Sequence, residues 1–148
     1  MNSYEKKGYL DREFRLFRLK EAISEPVAYH YHDFNKVLIL LKGEPDYIID
    51  GRSYHLKPMD IVLVGHHALH KPVVPETGEY ERIIFYVSPA YLESFRSDDA
   101  DLSLCFSLAR EHCSDVLRIG AMRMHSLLES VARLEEAAAG DSYAKELY

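Results

Sequence analysis

Apolar positions in the first sixty percent of this chain recur with a period of two, in short runs broken by Gly, Pro, Asn and Asp. That is the period of strands with one buried face. Residues 13–19, Glu-Phe-Arg-Leu-Phe-Arg-Leu, alternate in this way and predict Phe14, Leu16 and the 17–19 pair as inward-facing. Glu25-Pro26 marks a break, and a strand is expected from Val27 to His32. Asp33-Phe34-Asn35 reads as a bend. The strand after it, 36–41, is apolar without alternation, which predicts burial on both faces. Asp50-Gly51 between Tyr-Ile-Ile and Arg-Ser-Tyr is a two-residue hairpin turn with positive φ at both positions. Gly43-Glu44-Pro45 and Lys57-Pro58-Met59-Asp60 are further turns. The second leads into a strand over 61–64, and Pro72 and Pro75 confine the next strand to a short or edge piece. Gly78 precedes the last strand, 80–87. Seven or eight short strands at such spacing predict an all-β barrel or sandwich, with no βαβ crossover.

The period changes at Ser88-Pro89, an N-cap followed by proline in the first helical turn. Short helical turns follow through Tyr91, Leu92 and Phe95. A helix is predicted over 101–112, with Leu102, Cys105, Phe106 and Ala109 on one side, and a longer one from 120 or 121 to 139. Gly140 ends it, and Asp141 or Ser142 starts another. In the long helix Met124, Leu127, Val131, Leu134 and Ala138 recur at intervals of 3, 4, 3 and 4. This is an a/d seam over two heptads, where three or four are needed to specify a coiled coil. Two uses are open: packing on the chain's own barrel, or packing against a second subunit. Leu128 widens the stripe, so one helix can serve both.

Composition narrows the class. At 148 residues the chain is long enough for a core of its own, and 47% hydrophobic with 28% charged side chains is ordinary globular usage. A net charge of −6 argues against a chain that grips nucleic acid by itself. No apolar run reaches the ~20 residues that cross a bilayer, and residues 1–8 lack a signal-peptide core, so a cytoplasmic location is expected. Cys105 and Cys113 fall in a segment that reads as helical. Two turns set them ~12 Å apart, too far for a disulfide. They are expected to be reduced, partly buried thiols.

Candidate chemistry centres on histidine. His30 and His32 are one residue apart on a strand and so share a face, and His70 on a later strand can converge on them. Three imidazoles at one point can hold a transition metal or hydrogen-bond a ligand. Tyr47, Tyr86 and Arg82 add flat faces, hydroxyls and a cation, the make-up of a small-molecule pocket. No Gly-x-Ser-x-Gly, Walker or His-Glu-x-x-His pattern occurs. The basic cluster of Lys6, Lys7, Arg12, Arg15 and Arg18 reads as a solvated strand edge.

The histidine pattern resembles the cupin double motif, in which His-x-His and a nearby Glu form one half and a Pro-Gly-Asp-type turn and a later His the other. His30, His32 and His70 match its histidines. The Glu falls at Asn35 or Lys36, neither of which replaces a carboxylate ligand, and the turn reads Pro58-Met59-Asp60. More narrowly, HYHDFNKVLILLKGEPDYIIDGRSYHLKPMDIVLV and ALHKPVV…YERIIFYVSPAYLESF resemble the N-terminal sensor domain of AraC-type transcription regulators. That resemblance implies a mainly β protein with C-terminal helices: a cupin (double-stranded β-helix, jelly-roll) barrel with an N-terminal arm over 1–88, and over 89–148 a helical segment for dimerisation and linkage. It implies an arm before about Leu19 that closes over the ligand. It also implies a homodimer, here through Met124, Leu127, Val131 and Leu134, and a pair of helix-turn-helix units beyond residue 148 through which DNA is bound.

The expected ligand is a small-molecule effector, with a lean to a carbohydrate or its acid derivative, at His30, His32, Lys36, Tyr47, His70, Arg82 and Tyr86. No catalytic residue and no cofactor are expected. No metal is required, because a Lys36 ammonium facing a divalent ion costs several kcal/mol at an effective dielectric near 20; His30, His32 and His70 can still pick up an adventitious ion. The alternative is a stand-alone cupin enzyme or binding protein acting on a sugar or small acid.

Overall fold

The structure, a computed structural model, describes residues 4–6, 10, 13–20, 25–75 and 78–139. Its strands are β1 (Glu5–Lys6), β2 (Phe14–Leu19), β3 (His30–Tyr31), β4 (Asn35–Lys42), β5 (Asp46–Ile49), β6 (Arg52–His55), β7 (Ile61–Val64), β8 (His70–Val73), β9 (Glu81–Val87) and β10 (Val116–Leu117). Its helices are α1 (Pro89–Ser94), α2 (Leu104–Glu111) and α3 (Ala121–Ala139). One sheet runs β1-β3-β8-β5-β6 and the other β10-β7-β4-β9-β2. All pairings are antiparallel except β1 with β3.

Register decides which side chains meet. In the second sheet Lys36 is opposite Tyr86 and Val64, Leu38 opposite Ile84 and Val62, and Leu40 opposite Arg82. These share the inner face, since facing residues of paired strands point the same way. Leu38, Leu40, Val62, Val64 and Ile84 join Tyr47 and Ile49 of the other sheet, with Leu56, Ala68 and Tyr80, in one buried cluster. Each fully buried aliphatic there contributes about 1.5–3 kcal/mol. The outer face of β4 and β9 is also buried at Ile39, Ile83 and Val87, as the unbroken apolar run implies.

Turn chemistry holds the register. Asp50 and Gly51 have φ of 47° and 82°, the type I′ turn expected between β5 and β6. Gly43 has φ 106°, and a Cβ there would run into the carbonyl oxygen of Glu79. Ser88 Oγ accepts from Tyr91 N at 3.0 Å and so caps α1.

Several expectations are corrected. Phe17 and Leu19 of β2 pack on the inner cluster, whereas Phe14 lies on the opposite face, stacked on Tyr91 of α1 at 5.8 Å. The strand expected from Val27 is short, because only His30–Tyr31 find partners. The strand containing Pro72 is short, as expected, at four residues, and β3 reaches it only at His70, so beyond that residue the proline meets a ladder on one side only. Helix α2 starts at Leu104 and ends before Cys113, which has φ 52°. Both cysteines are free and exposed rather than partly buried. The stretch after residue 88 is not wholly helical, since Val116–Leu117 adds a strand to β7.

The chain divides into two compact units between Leu117 and Arg118, so α1, α2 and β10 fall with the sheets. In the other unit, α3 has Met124 and Ala137 buried, Leu127, Leu128, Val131 and Leu134 half-buried, and Ala138 exposed. Gly140 and the helix expected from Asp141 or Ser142 lie outside the described residues, as do Lys7 and Arg12.

Candidate ligand site inside the barrel

His30 and His70 face each other across the β3–β8 pairing, and His32 lies just beyond β3. All three are buried. Their ring centroids are 4.4 Å (His30–His70), 4.9 Å (His32–His70) and 5.1 Å (His30–His32) apart. Nδ1 of His30 is 2.9 Å from the carbonyl of Ala28, and Nδ1 of His70 is 2.9 Å from that of Ala68. A carbonyl only accepts, so each ring carries a proton on Nδ1, and in the neutral His70 ring this leaves Nε2 as an acceptor. His70 Nε2 is buried with no hydrogen-bond partner among the described residues. Burial, reinforced by the charge of Lys36, pushes the His70 pKa down to about 2.

Lys36 takes the inner face of β4, where its Nζ donates to the Tyr47 hydroxyl at 2.9 Å. Asn35, one residue earlier, points the other way: its Oδ1 accepts from His66 N at 2.8 Å and lies 3.1 Å from His66 Nδ1. Of the two residues at the Glu position of the cupin motif, Lys36 is therefore the one facing the histidines' side of the sheet. Burial lowers its pKa to about 8; the Tyr86 side chain opposes this and the nearby Arg82 charge adds to it. Burial raises the Tyr47 pKa well above the usual phenol value, so its hydroxyl stays protonated.

The remaining expected residues join the same network. Tyr47 stacks on His70 with centroids 6.1 Å apart, and Tyr86 lies 5.7 Å from His32. The Arg82 guanidinium lies 4.0 Å over the Tyr80 ring and donates to the Tyr80 carbonyl at 3.1 Å. Two aromatic members were missed. Phe34 stacks on His32 at 4.6 Å and meets Tyr86 at 4.4 Å, and Tyr80 is buried beneath Arg82. The period-two series 30, 32, 34 and the pair 80, 82 were the available signals. The arm expectation is touched at β1, where Glu5 is opposite His30 and Lys6 opposite Tyr31.

The three histidines are a group that could gather round a metal ion, and Lys36 is the feature that works against one. One ligand atom from each histidine can be chosen so that all lie within 4.8 Å of one another. Ligand nitrogens around zinc, each ~2.1 Å from the metal, sit nearer ~3.4 Å apart. The inner-face residue at the fourth position is an amine that is largely protonated at neutral pH, not a carboxylate. An ammonium at that position opposes a divalent ion beside it.

A double-sheet barrel with polar groups converging inside it is the cupin type of binding fold. The sequence pattern of the AraC-like ligand binding domain matches residues 21–147, and the chain belongs to that family. It is therefore a cupin-like sensor domain of the AraC type, a kind of domain that takes a small-molecule effector. Similar solved structures include an RmlC-like cupin from Shewanella frigidimarina (21% identity, 54% of this chain and 71% of that one, TM-score 0.46). KdgF from a Halomonas species is another (19%, 59% and 73%, 0.44). A third is the polyketide cyclase RemF from Streptomyces resistomycificus (14%, 50% and 54%, 0.45). No curated protein matches the chain in sequence. No helix among the described residues is long and apolar enough to cross a membrane.

Proposed function

We propose that the barrel binds a sugar or small acid at His30, His32, Lys36, Tyr47, His70, Arg82 and Tyr86. In this reading the chain is the effector-sensing and dimerisation part of a cytoplasmic transcription regulator, not an enzyme. DNA is left to helix-turn-helix units outside residues 1–148, whose net charge is −6.

The observation that carries the proposal is the linked set Lys36–Tyr47–His70–His30/His32, contributed by both sheets. A buried acceptor with no donor costs roughly 1–3 kcal/mol, and His70 Nε2 is such an acceptor. A ligand hydroxyl can donate to it. A hydroxyl or carboxylate oxygen can accept from Lys36. Polyhydroxyl compounds and their acids offer both.

A thermal-shift panel of sugars, sugar acids and small carboxylates tests this, because a ligand of the folded state raises the melting temperature with RT ln(1 + [L]/Kd). His32→Ala or Lys36→Ala should abolish the shift given by the true ligand. Treatment with chelator should leave the ligand-free melting temperature unchanged. A ligand whose shift is indifferent to His30, His32, Lys36 and His70 alike places the pocket elsewhere.

A further inference from the structure

We infer that Lys36 is a covalent capture site for carbonyl compounds: its Nζ, buried inside the barrel and 2.9 Å from the Tyr47 hydroxyl, condenses with an aldehyde or ketone to form a reversible imine. This rests on the proposed effector pocket and names the reactive class of its ligand.

The geometry around the amine is that of a nucleophile rather than a structural ion. Lys36 is buried on β4, a strand paired on both sides. Its neighbours are the Tyr47 hydroxyl and, 5.5 Å away, the centre of the Tyr47 ring. Among the described residues no carboxylate lies within ion-pair distance to hold the charged form. Burial and the Arg82 charge bring its pKa to about 8. At pH 7 about a tenth of Lys36 is then free amine, against less than about a thousandth for an exposed lysine. A desolvated lysine beside another cation is a recognised way to make a nucleophilic amine.

The step balances without a co-reactant. The ammonium first loses a proton to solvent, which at pH 7 leaves about a tenth of Lys36 as free amine. The amine nitrogen bonds to the carbonyl carbon, the C=O π electrons move to oxygen, and one proton passes from nitrogen to that oxygen, giving a neutral carbinolamine. The oxygen, protonated by the Tyr47 hydroxyl, leaves as water as the C–O bond breaks. A proton from solvent, equal to the one first lost, returns to the Tyr47 oxygen. The product is an iminium that keeps the charge Lys36 began with, and water reverses it. Nothing is oxidised or reduced.

The full chain is incubated with glycolaldehyde or pyruvate at pH 7 and quenched with sodium borohydride, and the reduced adduct is located by intact mass and peptide mapping. Exposed Lys42 and Lys57 serve as internal references. Lys36 should be labelled roughly tenfold or more faster than either. Lys36→Met should lose the fast adduct. If that variant does not fold, Tyr47→Phe still decides, because it retains the amine and should slow trapping about tenfold or more. Labelling of Lys36 no faster than the references overturns the inference, as does unchanged trapping in Tyr47→Phe. A melting-temperature shift from a sugar or acid that lacks a free carbonyl, with no preferential adduct at Lys36, overturns covalent capture and leaves the pocket standing. Preferential trapping at Lys36 supports both.

Discussion

Met59 sits where the cupin turn usually has glycine, and its backbone shows the consequence. With Pro58 before it and φ of 75°, it occupies the third position of a type II turn, a place that favours glycine. The turn is otherwise well made: Met59 N donates to Leu40 O at 2.7 Å, Asp60 N to Lys57 O at 3.0 Å, and Lys57 N to Asp60 Oδ2 at 2.9 Å. A left-handed conformation costs a non-glycine residue roughly 1–2 kcal/mol. Glycine relieves that but gains freedom in the unfolded chain, an opposing term of roughly 0.5–1 kcal/mol. Met59 is 39% exposed, so little packing is lost. Met59→Gly should therefore stabilise the protein by up to about 1 kcal/mol, read as a raised urea midpoint at unchanged m-value.

His70 makes a second residue-scale prediction, about pH. Its folded pKa is pushed down to about 2, against about 6.5 for an unfolded histidine. Between those values the unfolded chain binds the extra proton. Stability is therefore fully present above pH 6.5 and falls as pH drops below it. The slope from this one group approaches about 1.4 kcal/mol per pH unit. Urea titrations at pH 7, 6 and 5 should show the midpoint falling with acidification, and His70→Gln should flatten the fall. Equal slopes in the two proteins would show that His70 is not the group responsible.

At the scale of elements, the open side between β6 and β10 is tied by one buried carboxylate. Asp115, just before β10, accepts from Arg52 Nη2 and from the Tyr54 hydroxyl, each at 2.8 Å. Its carbonyl accepts from Leu63 N of β7 at 2.8 Å. One residue thus joins the edge strand of one sheet to the edge of the other. Asp115→Ala removes the acceptor and leaves a partly exposed guanidinium and a tyrosine hydroxyl to find water, a loss of about 1–3 kcal/mol. Asp115→Asn should lose less, because one acceptor oxygen remains. The measurement is the urea midpoint of both variants, and an Asp115→Ala midpoint equal to wild type would mean that the tie contributes nothing.

This tie was invisible in the sequence, as was β10. A two-residue strand has no period to read, and Arg52 and Asp115 are 63 positions apart. What was legible is local. The Asp50-Gly51 turn, the Ser88-Pro89 helix start and the His30/His32 alternation each depend on residues within four of one another. Strand geometry allowed His70 on a later strand to converge on that pair, and the resemblance to cupins singled out this pairing. Lys36 on the inner face followed from strand alternation once its register was fixed, but its contact with Tyr47 crosses between sheets and needed coordinates.

At the scale of the whole molecule, the remaining question is what α3 does with its apolar stripe. Leu127, Val131 and Leu134 are half-buried in the single chain, so each keeps apolar surface that a further partner can cover. The 3-4 spacing from Met124 to Leu134 gives that surface the seam of a helix pair. Met122, 87% exposed, stands outside the seam. We propose a second copy of this chain as the partner, since a two-fold interface uses the same patch twice and is the commonest assembly. Leu127→Glu with Val131→Glu puts four carboxylates into such an interface, two from each copy, where removal from water costs each of them several kcal/mol. The wild-type protein should run as a dimer in light scattering at micromolar concentration and the double variant as a monomer. Circular dichroism should be unchanged, because both positions are half-buried rather than core. A variant that keeps the dimer mass places the interface on another face, and a wild-type protein that is monomeric at that concentration removes the proposal.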